Sequence, residues 1–278
     1  MSTTDTIPEG TPLAEVARRG LVLLGCGRMG SAMLRGWLAG GLPPGAVHAV
    51  EPHPSDWLRG LGLAPEPPAS PAVAVVAVKP QMMAEALPAL APHGGGATLV
   101  LSVAAGTPLA AFEAALGEGT PVVRAMPNTP AAAGRGITAL VANEAAGEAG
   151  LATAEALMRA VGRTVRLDDE ARMDAVTAVS GSGPAYVFHL IEALAAAGVA
   201  EGLPEDLATE LALATVAGAG ALAEGAGRPA ADLRRDVTSP GGTTEAALAV
   251  LMDEGTGLPP LLRRAVAAAA ARSRELRA

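Results

Sequence analysis

Several residue types are scarce in this chain, and each scarcity closes a class of function. Of its 278 residues one is a cysteine, Cys26, so no internal disulfide can form and no metal site can be built on spaced thiolates. Aromatic residues supply 2% of the chain and the net charge is −8, so a nucleic-acid partner would find neither stacking platforms nor a basic stripe. The longest run without Asp, Glu, Lys or Arg, residues 86–112, is interrupted by "PHGGG" and by further prolines and glycines, and does not read as a membrane span. Acids and prolines occupy residues 1–20 where a signal peptide would be continuously apolar, so the expected compartment is the cytoplasm. Lysine is nearly missing as well: Lys79 stands alone.

What is present is small and apolar. The hydrophobic fraction is 50%, carried by Ala, Val and Leu, which suits a core of closely approaching elements. Between residues 21 and 167, short apolar runs (LVLL, VHAV, VAVVAV, TLVLSV, PVVRAM, GITALVA, TVRL) alternate with helical stretches, the rhythm of a parallel α/β sheet. Thr107 and Pro108 before LAAFEAAL read as an N-cap and a first-turn proline. From residue 168 to 278 the strand-like runs stop, and four or five Ala/Leu-rich helical stretches make a second, all-helical domain. In the first of these, Val176, Val179, Gly183, Val187, Ile191 and Leu194 recur every three or four residues and mark one buried face, with a kink expected at Pro184. Several helices are apolar nearly all round, which in so small a domain predicts burial against a second copy of the chain.

"LVLLGCGRMGSAML" sets Gly25, Gly27 and Gly30, with Arg28 and Met29 between them, directly after a strand and at the mouth of a helix. In that context the glycines permit a tight turn and let a pyrophosphate reach backbone amides at the positive helix end, so the first domain reads as a Rossmann-type dinucleotide-binding domain. Glu51, at the tip of the second strand, would bind adenosine ribose hydroxyls and repel a 2′-phosphate, which favours NADH; His53 and Arg59 nearby keep NADPH open. Lys79 closes the third strand, while "SVAAG" (102–106) and "RAMPNTP" (124–130, with Asn128) end the next two, all on the edge where open α/β sheets bind ligands. Cys26 reads as a small buried hydrophobe in the turn.

A further stretch, "DVTSPGGTTEAALAVL" (236–251), wedges a proline and two glycines between helices. A Gly-Gly-Thr turn running into a helix presents consecutive N–H groups and a positive dipole end, a seat for a carboxylate, and Thr243 and Thr244 can add hydroxyl donors.

Taken together, GCGRMGSA, AVKP, SVAAG, RAMPNTP, AVSGSGPAYVF and VTSPGGTT resemble the pyrroline-5-carboxylate reductase family, over almost everything from residue 21 to 275. The resemblance implies reduction of a cyclic imine to L-proline by NADH or NADPH, and a helical domain interlocked with a partner subunit in a homodimer, often within rings of dimers. It implies cofactor contacts at Gly25 to Gly30, around Glu51 and His53, at Val78, Lys79 and Pro80, and at Ala104 and Ala105. Substrate contacts would fall on Glu170 and on Asp236, Val237, Ser239, Gly241, Gly242, Thr243 and Thr244. The first twenty residues have no counterpart in typical members, and Glu51 and His53 replace small polar residues that accompany NADPH in many of them.

Hydride transfer to C=N is easiest when the nitrogen is protonated, so no strong acid is required. Glu170 is expected to stabilise the iminium, although without the family it is simply an acid favoured in a first helical turn. Thr244 is the candidate for a hydrogen bond to the ring nitrogen or to a water that supplies the proton. His189 reads as a structural partner of Glu192, and neither it nor Tyr186 is assigned to catalysis. Two alternatives differ in class. A β-hydroxyacid dehydrogenase would place a lysine in the helical domain, which has none, and a non-catalytic nicotinamide-sensing dimer would not need the seat at Gly241–Thr244.

Overall fold

The computed structural model describes residues 7–276. Seven strands form one sheet in the order β2-β1-β3-β4-β5-β6-β7: β1 Leu21–Leu24, β2 Val47–Val50, β3 Val73–Val76, β4 Leu99–Ser102, β5 Val122–Met126, β6 Gly136–Ala142 and β7 Gly162–Arg166. Each expected strand is present. β1, β3 and β4 are buried at every position, as strands covered on both faces must be, and this is why they read as continuous apolar runs. The first five pair in parallel, with helices α2 (Arg28–Ala39), α3 (Asp56–Arg59), α4 (Met83–Leu90) and α5 (Leu109–Leu116) as crossovers.

The parallel pattern has one exception: β6 runs antiparallel to β5, and β7 then pairs parallel to β6. Only a 3₁₀ turn, Thr129–Ala133, separates β5 from β6, too short a connection to return the chain to a parallel start. Helix α6 (Gly147–Arg159) bridges β6 and β7. It packs on α2, where the buried Trp37 donates its Nε1–H to the Leu157 carbonyl at 2.9 Å. A further helix precedes β1. Helix α1, Pro12–Arg19, is capped by Thr11, buries Val16 in the core, and anchors Arg19 on the carbonyls of Ser70, Pro71 and Ala97.

After β7 the chain becomes helical: α7 Met173–Val176, a π-helical turn Thr177–Gly181, α8 Gly183–Ala200, α9 Glu205–Gly225, α10 Ala230–Asp236, α11 Thr243–Leu251 and α12 Leu258–Glu275. The π turn interrupts what the periodicity read as one helix, so Pro184 sits in the first turn of α8, where its missing N–H costs nothing, and does not kink a continuous helix. Two compact units result. One runs to Gly181 and takes in the chain from Ala271; the other is Ser182–Ala270. The first unit takes in α7, whose Met173 is buried in the core that covers one face of the sheet.

The predicted buried face of the first long helix is not buried within one chain. Val179, Val187 and Leu194 are exposed, as are Phe188, Leu190, Leu213 and Leu222. Glu170–Ala200 and Glu205–Gly225 are long and apolar enough to cross a membrane by length and composition, which makes the question of what covers them a real one.

Candidate active site

The expected cofactor residues gather along the carboxyl ends of β1 to β5. Gly25 adopts a positive φ of 87°, and a Cβ there would meet the Ala77 carbonyl oxygen at 2.8 Å, so the turn between β1 and α2 can pass the end of β3 only with glycine. Gly30 lies directly against the Gly25 carbonyl, where a side chain has no room. Gly27 is the reverse case: it caps α2 without a side-chain hydrogen bond, and a Cβ there would meet nothing within 4 Å. The space before the N–H groups of α2 is therefore open, which fits a dinucleotide pyrophosphate. Arg28 opens the helix exposed to solvent and Met29 packs half-buried on the core.

Glu51 closes this turn from the side. Its Oε2 accepts the Cys26 N–H at 2.8 Å and its Oε1 the His53 N–H at 3.1 Å, so the carboxylate is held on two backbone donors beside the glycine loop. Burial, and next the Glu51 charge, push the Cys26 thiol up to about 11, so it is a neutral thiol near neutrality, in keeping with a packing role. Val78 packs on the second core cluster and Lys79 is exposed, its carbonyl accepting from Met82 N–H in the 3₁₀ turn begun by Pro80. Ala104 is buried, its N–H donated to Ser102 Oγ at 3.3 Å, and Ala105 follows half-buried.

Two of the expected residues also make bonds within the fold. Asn128 is occupied by the fold: its Oδ1 accepts Ile137 N–H at 2.9 Å and its Nδ2 donates to the Ser180 carbonyl at 3.1 Å, tying the end of β5 to β6 and to the π turn. Glu170 opens a 3₁₀ turn as an acid at a helix start, but its Oε1 accepts from Arg124 Nη1 at 2.6 Å and from Leu109 N–H at 3.0 Å. Its charge is balanced within the fold by a guanidinium that is itself buried. The same bond replaces the expected Thr107 cap: Pro108 is the N-cap of α5, and Glu170 supplies the acceptor from elsewhere in the chain. Nothing in the sequence linked positions 109, 124 and 170, because a parallel sheet brings them together only after folding.

The expected substrate residues lie in the other unit. Asp236 ends α10 and pairs with Arg228 at 2.9 Å; Val237 and Ser239 are exposed in the turn that follows. Gly241 takes a φ of 70° and Gly242 caps α11 without a side-chain bond, so Thr243 and Thr244 fall in the first turn, where N–H groups have no intrahelical acceptor. One donor of this turn already holds a carboxylate: Gly241 N–H donates to Glu245 Oε2 at 2.7 Å. His189 Nδ1 and Glu192 Oε2 lie 3.1 Å apart on the α8 surface, the pair expected of them. Among the described residues no three His, Cys, Asp or Glu side chains come together as a metal site.

A parallel sheet with an open glycine turn at its carboxyl edge, followed by a helical unit with unburied apolar helices, defines a two-domain nicotinamide-dependent oxidoreductase that works as a dimer. Residues 170–276 match the family profile described as pyrroline-5-carboxylate reductase dimerisation, and residues 20–106 match one described as NADP oxidoreductase, coenzyme F420-dependent. The chain is 41% identical over 264 residues to the pyrroline-5-carboxylate reductase of Pseudomonas aeruginosa, covering 92% of this chain and 96% of that one. The fold superposes on the pyrroline-5-carboxylate reductase of Coxiella burnetii with a TM-score of 0.86 at 34% identity, covering 93% of this chain and 98% of that one. It also superposes on the Plasmodium falciparum enzyme with NADP bound, with a TM-score of 0.78 at 26% identity over 94% and 99% of the two chains. The chain belongs to the pyrroline-5-carboxylate reductase family. Its apolar helices α8 and α9 fall inside the dimerisation match, so a second copy of the chain is what their exposed faces await.

Proposed function

We propose that this protein reduces 1-pyrroline-5-carboxylate to L-proline with a nicotinamide cofactor, NADH in preference to NADPH, as the last step of proline synthesis in the cytoplasm. Larger rings of dimers are compatible with the family and form no part of the chemistry proposed here. The observation that carries the substrate half of this reading is the turn at Ser239–Thr244, which opens α11 with a positive-φ glycine and already binds a carboxylate, that of Glu245, on the Gly241 amide. A substrate carboxylate would take this place among the first-turn amides, favoured by the helix dipole.

When bound, the reduced nicotinamide supplies a hydride to the imine carbon. The glycine turn, with Arg28 and Met29, would hold the pyrophosphate, Glu51 and the His53 amide the adenosine ribose, and Val78, Lys79, Pro80, Ala104 and Ala105 the remainder. Asp236, Val237 and Ser239 would shape the approach to the carboxylate seat, and Thr243 and Thr244 would close it. Thr244 carries the hydroxyl that would hydrogen-bond the ring nitrogen, directly or through water, keeping its proton in place as the C=N bond becomes a C–N single bond. Asn128 and Glu170 act through the backbone they hold.

The test is direct. Mixed with NADH, the protein should oxidise the cofactor when given the pyrroline acid and not when given a 3-oxo acid. Oxidation with the oxo acid alone would move the assignment to the hydroxyacid dehydrogenases, and NADH binding without turnover on either would make it a sensor.

A further inference from the structure

Arg124 is the only charged residue of β5, and its side chain is 4% exposed. A guanidinium so buried is costly unless paired and hydrogen-bonded, and its presence in a strand of valine, alanine and methionine asks for a reason. Its partner is Glu170, whose side chain is 25% exposed and whose Oε1 lies 2.6 Å from Arg124 Nη1. That oxygen also takes the Leu109 N–H, the first donor of α5, which has no side-chain cap of its own. On the other side, the register places Arg124 beside Ser102 of β4, and Ser102 Oγ accepts the Ala104 N–H. The segment from 103 to 108 is thus held at its start by Ser102 and at its end by Glu170, with Arg124 behind both. That segment carries Ala104 and Ala105.

We propose that Arg124 is a positioning residue for the cofactor, with Glu170 as its counter-ion. The pair sets where the loop 103–108 stands, and neither side chain touches the reacting atoms. The inference rests on reading Ala104 and Ala105 as cofactor contacts. It differs from two simpler roles: an ion pair that only holds the fold would change stability and leave cofactor affinity alone, whereas a Glu170 facing the imine would change turnover and its pH profile.

The experiment compares the parent dimer with Glu170→Gln, Arg124→Lys and the double variant. NADH Kd is read by nucleotide fluorescence in the absence of substrate, and kcat with the pyrroline acid at saturating NADH. Glu170→Gln keeps an oxygen for the Leu109 N–H and removes only the charge, so it decides the matter alone should Arg124→Lys not fold. A displaced loop should raise NADH Kd by on the order of tenfold in each single variant, with kcat within about twofold of the parent. The double variant should bind no worse than the weaker single, because both act through one contact. Unchanged Kd in Glu170→Gln with a lower melting temperature overturns the proposal, as does unchanged Kd with a lower kcat and an altered pH profile. If the parent binds NADH but reduces no imine, the functional reading fails while the Kd comparison still decides this one.

Discussion

Replacing Glu51 with glutamine tests the proposal that its charge sets the choice between the two nicotinamides. The carboxylate is fixed on Cys26 N–H at 2.8 Å and His53 N–H at 3.1 Å, so it cannot swing away from a ligand on the ribose without breaking both bonds. A 2′-phosphate held roughly 5 Å from it brings up to two negative charges. At an effective dielectric of roughly 40, each contributes about 1.7 kcal/mol of repulsion, which salt reduces to a total of about 2–3 kcal/mol. That corresponds to a preference for NADH of roughly 30- to 150-fold. Glutamine has nearly the same size and retains one acceptor, so the weakening of the loop, about 1 kcal/mol, falls on both cofactors alike and cancels in their ratio. Initial rates with NADH and NADPH therefore give the repulsion itself: the ratio of the two kcat/KM values should fall by roughly 30-fold or more in Glu51→Gln. A ratio unchanged by the substitution would refute the reasoning and place the discrimination elsewhere in the loop.

Three other outcomes follow from the same geometry. Thr244→Ala should lower kcat with the pyrroline acid by about tenfold or more while NADH Kd stays within about twofold, read by stopped-flow and fluorescence titration; equal losses in both would count against its role at the ring nitrogen. Cys26, with its thiol raised from 9.0 to about 11, should carry a thiolate fraction roughly a hundredfold below that of the unfolded chain at any pH under 9, and iodoacetamide labelling followed by mass spectrometry should slow in proportion. Trp37→Phe deletes the indole bond to the Leu157 carbonyl in a buried site and should cost about 2 kcal/mol, a fall in Tm of roughly 4–8 °C; an unchanged Tm would mean that α2 and α6 repack without loss.

Much of this was legible from the chain itself, for identifiable reasons. The strands announce themselves because a sheet covered on both faces demands runs such as LVLL and VAVV, and the glycine turn because Gly25 and Gly30 answer separate steric demands while Gly27 leaves the helix mouth open. The reversal of β6 was hidden, since a strand's composition carries no direction; only the short link through Thr129–Ala133 excludes a parallel return. Val179, Val187 and Leu194 read as core from their spacing, and periodicity cannot tell a core within the chain from one shared between two chains. Glu170 was the instructive case. From the sequence it is an acid at a helix start, and its bonds to Arg124 and Leu109, 46 and 61 positions away, become visible only in the fold.

The central claim is that the substrate's carboxylate sits on the amides that open α11. A crystal of the dimer grown with proline tests it most directly. The account predicts the proline carboxylate within hydrogen-bond distance of the N–H groups of Gly241 to Thr244, with the ring nitrogen toward Thr244 Oγ1 and Glu245 turned away from Gly241. Proline bound at any other place, with Glu245 still on the Gly241 amide, would contradict it.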